Sequence, residues 1–219
     1  MDNKTQLIEL MIEADVLRFG EFTTKSGRLS PYFVNTGNYK TSKQLTKLGK
    51  FYGDMIKDTC SDNFDAMFGP AYKGIPLAVS AAVSLMNDYN IDKPIFYNRK
   101  EVKDHGEGGM FIGYIPKDGD NVIIIEDVIT AGTQIRDIMP HLKSIANIKI
   151  TDMFISVDRC EVGLAGNKTA VMEVRDDFGI SVHSIVNVLD IREFLKNNGK
   201  YDQYIPKMDA YIDQYCLFK

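Results

Sequence analysis

The chain has 219 residues, 44% hydrophobic and 26% charged, with a formal net charge of -4. That size and balance fit one globular domain with a substantial core. The acidic surplus gives no support to nucleic-acid binding by bulk electrostatics, and no apolar run approaches the roughly 20 residues that a membrane-spanning helix needs. Cys60, Cys160 and Cys216 are far apart and form no C-x-x-C pair, so neither a disulfide framework nor a zinc site is indicated. With no apolar secretory core after Met1, the expectations are reduced thiols, a cytoplasmic location, no membrane and no nucleic-acid partner.

Leu7, Leu10, Met11 and Ala14 recur at i, i+3, i+4 and i+7, which predicts an amphipathic helix over residues 4 to 15. From Phe22 to Asn35 two extended runs flank a Ser26-Gly27 turn, on its own an ordinary surface hairpin. A second helix is expected from Ser42, as N-cap, to about Lys57; Gly49 inside it either permits close packing or weakens it. Asp65 to Phe68 then lead through Gly69-Pro70-Ala71-Tyr72-Lys73-Gly74-Ile75-Pro76 into a helix reaching about Met86. This strand, turn and helix order implies a parallel sheet, whose binding sites gather at the carboxyl ends of its strands.

Pro94 to Tyr97 reads as extended, and the polar, glycine-rich run Asn98 to Gly109 cannot bury a core of its own. It is either a solvated loop or a lid that brings cations onto phosphate oxygens. Residues 111 to 115 return the chain to the sheet. Val122-Ile123-Ile124-Ile125 predicts a strand buried on both faces, running into Glu126-Asp127 and a small-residue turn, Val128 to Thr133. Ile135, Ile138, Met139, Leu142 and Ile145 then give a helix over 132 to 146, which Pro140 should kink or shorten. The amides of Thr130 to Thr133 thus stand at a helix N-terminus, where unpaired N–H groups and the dipole favour a phosphate, while the two acids could take ribose hydroxyls directly or through Mg²⁺. Neither a P-loop nor a G-x-G-x-x-G motif occurs in the chain. Beyond lie a strand over 148 to 157, a helix over 168 to 177, a strand over 180 to 186, and two helices around Ile191–Leu195 and Met208–Tyr215. His141 and His183, in helix and strand contexts, read as structural.

Four segments carry a resemblance: Thr24-Lys25-Ser26-Gly27-Arg28 with Ser30-Pro31-Tyr32-Phe33, Gly69 to Pro76, Asn98-Arg99-Lys100 with Lys103 to Gly109, and Glu126 to Thr133. Together they resemble the orotate phosphoribosyltransferases of the type I phosphoribosyltransferase family. The resemblance implies a single α/β domain over 1–219: a mostly parallel central sheet flanked by helices, a small N-terminal hood (1–40) and a flexible catalytic lid loop (98–110). It implies transfer of a phosphoribosyl group from 5-phosphoribosyl diphosphate (PRPP) to orotate, with Mg²⁺ held mainly by PRPP, near Glu126 and Asp127, rather than by direct protein ligands. It implies a homodimer whose subunits share active sites.

By the same resemblance, Lys25, Lys73, Lys100, Lys103, Asp104 and His105 form the catalytic set. PRPP falls to Lys25, Tyr72, Lys73, Arg99, Lys100, Lys103 and His105, mainly at its diphosphate, to Glu126 and Asp127 at the ribose, and to Val128, Ile129, Thr130, Ala131, Gly132, Thr133 and Gln134 around the 5-phosphate. Orotate falls to Phe33, Val34, Thr130 and Arg159, whose planar guanidinium suits a carboxylate. Many members carry two aspartates in place of Glu126-Asp127, and often a second aromatic in place of Val34. A salvage phosphoribosyltransferase for another base would leave Lys25 to Arg28 and Arg159 unexplained; a PRPP-binding regulator should carry a basic surface or an added DNA-binding segment.

Overall fold

The structure is a computed structural model describing residues 2–24, 27–103, 109–129 and 132–218, with the side chains of residues 100–103 excepted. Helix α1 (Asn3–Glu13) starts where the Asp2 carboxylate accepts from the Thr5 amide. Strands β1 (Leu17–Thr23) and β2 (Leu29–Val34) form a separate antiparallel hairpin. Helix α2 (Ser42–Cys60) is capped by Thr41 rather than Ser42. From Thr41, the residue three positions on is Gln44, whose side chain accepts from the Thr41 amide and closes a capping box; from Ser42 that position would be Leu45, which has no acceptor.

The main sheet holds β3 (Ala66–Phe68), β4 (Ile95–Lys103), β5 (Gly109–Gly113), β6 (Asn121–Ile129), β7 (Lys149–Asp158) and β8 (Ser181–Asn187), in the order β5-β4-β3-β6-β7-β8. All neighbours are parallel except β4 and β5. The run expected as a lid is therefore strand at both ends: β4 continues to Lys103 and β5 resumes at Gly109. Its polar composition hid this, because an antiparallel edge pair needs backbone partners more than a buried face.

β6 lies between β3 and β7, and its side chains divide between two cores. Ile123 and Ile125 join the larger, with α1, α2, α3 (Gly74–Tyr89), α6 (Val188–Asn198) and α7 (Ile205–Tyr215). Val122 and Ile124 join the smaller, under α4 (Thr133–Lys143) and α5 (Ala170–Phe178). Pro140 sits in the last turn of α4, which ends at Lys143 rather than Ala146. α2 and α3 cross closely at Gly49, where a Cβ would lie 2.4 Å from the Ser80 carbonyl oxygen, so the glycine serves packing. The hairpin shares the larger core through Leu17 and Tyr32, which binds the hood to the sheet. His183 pairs with Asp152 at 2.7 Å and stacks on Phe154. No helix among the described residues is long and apolar enough to cross a membrane.

Candidate functional site

The carboxyl ends of β3, β6 and β7 lie side by side. From β3 the chain enters α3 at Lys73, and from β6 it enters α4 at Gly132, whose φ of 68° is in the left-handed region that glycine adopts without penalty. Among the described residues neither helix start carries a side-chain cap, nor does that of α7, whereas Asp2, Thr41, Thr169 and Asn187 cap α1, α2, α5 and α6. The first-turn amides of α3 and α4 are thus not claimed by a cap side chain, an arrangement suited to anions.

Between these helix starts stand the two acids. Asp127 Oδ2 accepts from Thr36 Oγ1 at 2.6 Å and from Lys73 Nζ at 3.2 Å, while its Oδ1 accepts from the Val128 amide at 2.8 Å. Glu126 is buried; its Oε1 accepts from the Asp127 amide at 2.8 Å and its Oε2 from Gln134 Nε2 at 2.9 Å. Tyr52 and Ser156 fix the strand end by donating to the Glu126 and Asp127 carbonyls, each at 2.7 Å. Burial, reinforced by the adjacent Asp127 carboxylate, pushes the Glu126 carboxyl up to about 8. The pair therefore offers two unlike carboxylates, one held beside a lysine and one easily protonated.

Asp158 pairs with Ile129 across the parallel ladder, so Arg159 emerges beside the end of β6. It is buried, with its guanidinium 4.4 Å from the Tyr32 ring centroid. Its Nη2 donates to Ser30 Oγ at 3.1 Å and Tyr211 Oη at 2.8 Å, and its Nε donates to Glu161 Oε1. Strand alternation puts Val34 on the face of β2 that carries Ser30 and Tyr32. Phe33 faces the other way, stacked on Phe22 at 5.4 Å with the Arg18 guanidinium 5.6 Å from its ring.

The structure thus brings Lys73, Glu126, Asp127, Gly132, Thr133 and Gln134 together, with Val128 and Ile129 in the strand that leads to them. Tyr72 is exposed beside Lys73, and Arg99 is half-buried on β4. Lys25, Asp104, His105, Thr130 and Ala131 lie outside the described residues, as do the side chains of Lys100 and Lys103. Sequence reading missed Thr36, whose partner is 91 positions away, and Glu161 with Tyr211, which hold Arg159. Only Glu161 left a trace, as the acid two residues after Arg159.

Residues 35–154 match the phosphoribosyl transferase domain family. The orotate phosphoribosyltransferase of Clostridium acetobutylicum is 50% identical over 218 residues, with 97% of each chain covered. A crystal structure of orotate phosphoribosyltransferase from Francisella tularensis superposes with a TM-score of 0.84 at 38% identity, covering 97% of this chain and 100% of that one. The Mycobacterium tuberculosis orotate phosphoribosyltransferase, solved in complex with PRPP, shares the fold at 18% identity, with a TM-score of 0.61 over 86% of this chain and 98% of that one. An α/β sheet with paired acids at its central strand end, a domain match over more than half the chain and full-length relatives near half identity place this chain in the orotate phosphoribosyltransferase family.

Proposed function

We propose that this chain transfers the 5-phosphoribosyl group of PRPP to N1 of orotate, giving orotidine 5-phosphate and diphosphate in de novo pyrimidine biosynthesis. The observation that carries the reading is that α3 and α4, which start without side-chain caps among the described residues, follow the neighbouring strands β3 and β6, with Lys73 at the first start bonded to Asp127 at the end of β6. Two anion-ready termini about a carboxylate suit a sugar with a phosphate at one end and a diphosphate at the other.

The start of α4, with Val128 to Thr133 leading into it, takes the 5-phosphate. Glu126 and Asp127 take the ribose hydroxyls. Gln134, assigned with the phosphate cradle by resemblance, supports the ribose end through its bond to Glu126. Lys73, with Tyr72 and Arg99, serves the diphosphate, joined by Lys25, Lys100, Lys103, Asp104 and His105. As the bond from C1 to diphosphate breaks, positive charge grows on the ribose and negative charge on the leaving group; the cations stabilise the second and the Asp127 carboxylate the first. His105 protonates the diphosphate or donates a hydrogen bond to it. Mg²⁺ would be held mainly by PRPP, near Glu126 and Asp127 at the strand end, rather than by direct protein ligands. When bound, that ion neutralises charge on the diphosphate.

Arg159, with Val34 and Thr130, holds orotate; Phe33, assigned to the same base by resemblance, lies on the opposite face of β2, stacked on Phe22. Arg159 Nε and Nη2 are committed to the protein, and among the described residues Nη1 makes no hydrogen bond, which leaves donors for a carboxylate. The working unit is a cytoplasmic homodimer. In its support, Val79, Val83 and Met86 are exposed at i, i+4 and i+7 along α3, an apolar stripe suited to a second copy. The test supplies PRPP and Mg²⁺ with orotate, uracil or hypoxanthine and follows loss of each base. Consumption of orotate alone is expected; consumption of hypoxanthine without orotate would overturn the assignment in favour of base salvage.

A further inference from the structure

We propose that Glu161 is a positioning residue for the base site: together with Tyr211 it locks the Arg159 guanidinium so that Nη1 alone is presented to the carboxylate of orotate. This rests on the orotate reading of the site. The Glu161 carboxylate is buried and divides its two oxygens between two arginines. Oε1 accepts from Arg159 Nε and from the Tyr211 hydroxyl, while Oε2 accepts from Arg28 Nη1 at 2.8 Å. Arg28 Nη2 also donates to the Val162 carbonyl at 3.0 Å, and its guanidinium lies 5.4 Å from the Tyr215 ring. Burial favours the neutral acid, but the charge and hydrogen bond of Arg159, the Tyr211 hydroxyl and the charge of Arg28 together outweigh it and hold the Glu161 carboxyl below its usual range.

An arginine that reads a carboxylate through one terminal nitrogen must be fixed in plane and rotation, because a hydrogen bond weakens steeply once its N–H no longer points at the oxygen. The protein fixes Arg159 from every side that faces it: Glu161 at Nε, Tyr211 and Ser30 at Nη2, and the Tyr32 ring against its face. These partners come from the exit of β7, from β2 and from α7, three elements distant in sequence. Arg28 closes the turn after Thr24, whose amide donates to the Arg28 carbonyl at 2.9 Å, so the same carboxylate also anchors the base of that hood turn. A carboxylate serving only stability could pair with either arginine; this one spans both and leaves one terminal nitrogen of Arg159 unengaged among the described residues.

The test uses the full chain with PRPP, Mg²⁺ and orotate, and compares Glu161→Gln, Tyr211→Phe, Arg159→Lys and the double variant Glu161→Gln with Arg159→Lys. Tyr211→Phe keeps the ring packed edge-on against Tyr32 and deletes only the hydroxyl, so it reports even where Glu161→Gln folds poorly. Glu161→Gln and Tyr211→Phe should each raise KM for orotate about tenfold and leave KM for PRPP within about twofold. In the Arg159→Lys background, Glu161→Gln should add less than about twofold, because a residue that acts through Arg159 has nothing left to orient. Equal rises in both KM values, unchanged orotate KM in Tyr211→Phe, or multiplicative losses in the double variant would overturn the proposal. If the wild-type chain does not consume orotate, the functional reading fails first, and that is read from the wild-type arm alone.

Discussion

Glu126 shows at the scale of one residue how burial tunes the acid pair at the end of β6. Its carboxyl is buried beside Asp127 and raised to about 8, far above an exposed glutamate, so the folded chain holds a proton there that the unfolded chain has released. The sign follows: between the unfolded value near 4.5 and about 8 the native state binds more protons, so this group's contribution to stability falls as pH rises through that window. Glu126→Gln imitates the protonated form, and the Gln134 amide can turn to keep its bond. The ligand-free variant should match wild type in melting temperature near pH 5 and exceed it by several degrees near pH 8.5, measured by calorimetry. A difference that does not change with pH would show that Glu126 is not the titrating group. The adjacent acids were legible in the sequence because they are neighbours on one strand. Thr36 was not, since its bond to Asp127 depends on how the hood folds over the sheet, and Tyr211 was hidden in the apolar stripe of a C-terminal helix.

At the scale of elements, periodicity carries most of the fold. The run Val122 to Ile125 feeds two cores by strict alternation, and α4 follows from its three-and-four spacing. What spacing could not supply was extent: β4 reaches Lys103 through residues with no apolar pattern, because its ladder with β5 is made by backbone. Packing between helices is a second such limit, and Gly49 illustrates it. Alanine is favoured over glycine within a helix by about 1 kcal/mol. Here the added methyl would sit 2.4 Å from the Ser80 carbonyl oxygen and 2.7 Å from its carbon, a backbone obstacle that no rotamer change relieves. Overpacking of that kind costs up to about 3 kcal/mol. The net loss of about 2 kcal/mol corresponds to about 4–8 °C for a chain of this length. Gly49→Ala should therefore melt lower than wild type by that amount; an equal or higher melting temperature would mean that α2 and α3 separate at little cost.

For the whole molecule, the described residues of one chain bring Lys73, the two acids and a fixed arginine to the carboxyl ends of the central strands, while Arg28 closes the base of the hood hairpin and Lys25 lies outside the described residues. Resemblance assigns that lysine to the neighbouring subunit's site, and the apolar stripe on α3 gives a second copy a surface to cover. If each site draws Lys25 from the partner and Asp127 from its own chain, two dead variants can repair each other. Lys25→Ala and Asp127→Ala should each be inactive alone. In a heterodimer, the site on the Lys25→Ala chain keeps its own Asp127 and receives an intact Lys25 from the partner, whereas the opposite site lacks both. Random re-pairing of equal amounts makes about half of the dimers mixed, each with one working site, so about a quarter of wild-type activity should return. Subunit exchange is followed independently, with differently tagged chains, so that loss of activity is not confused with failure to mix. Recovery near a quarter supports sites built across the two-fold axis. No recovery after proven exchange would place Lys25 in the site of its own subunit, and the hood would then close over the acids from within one chain.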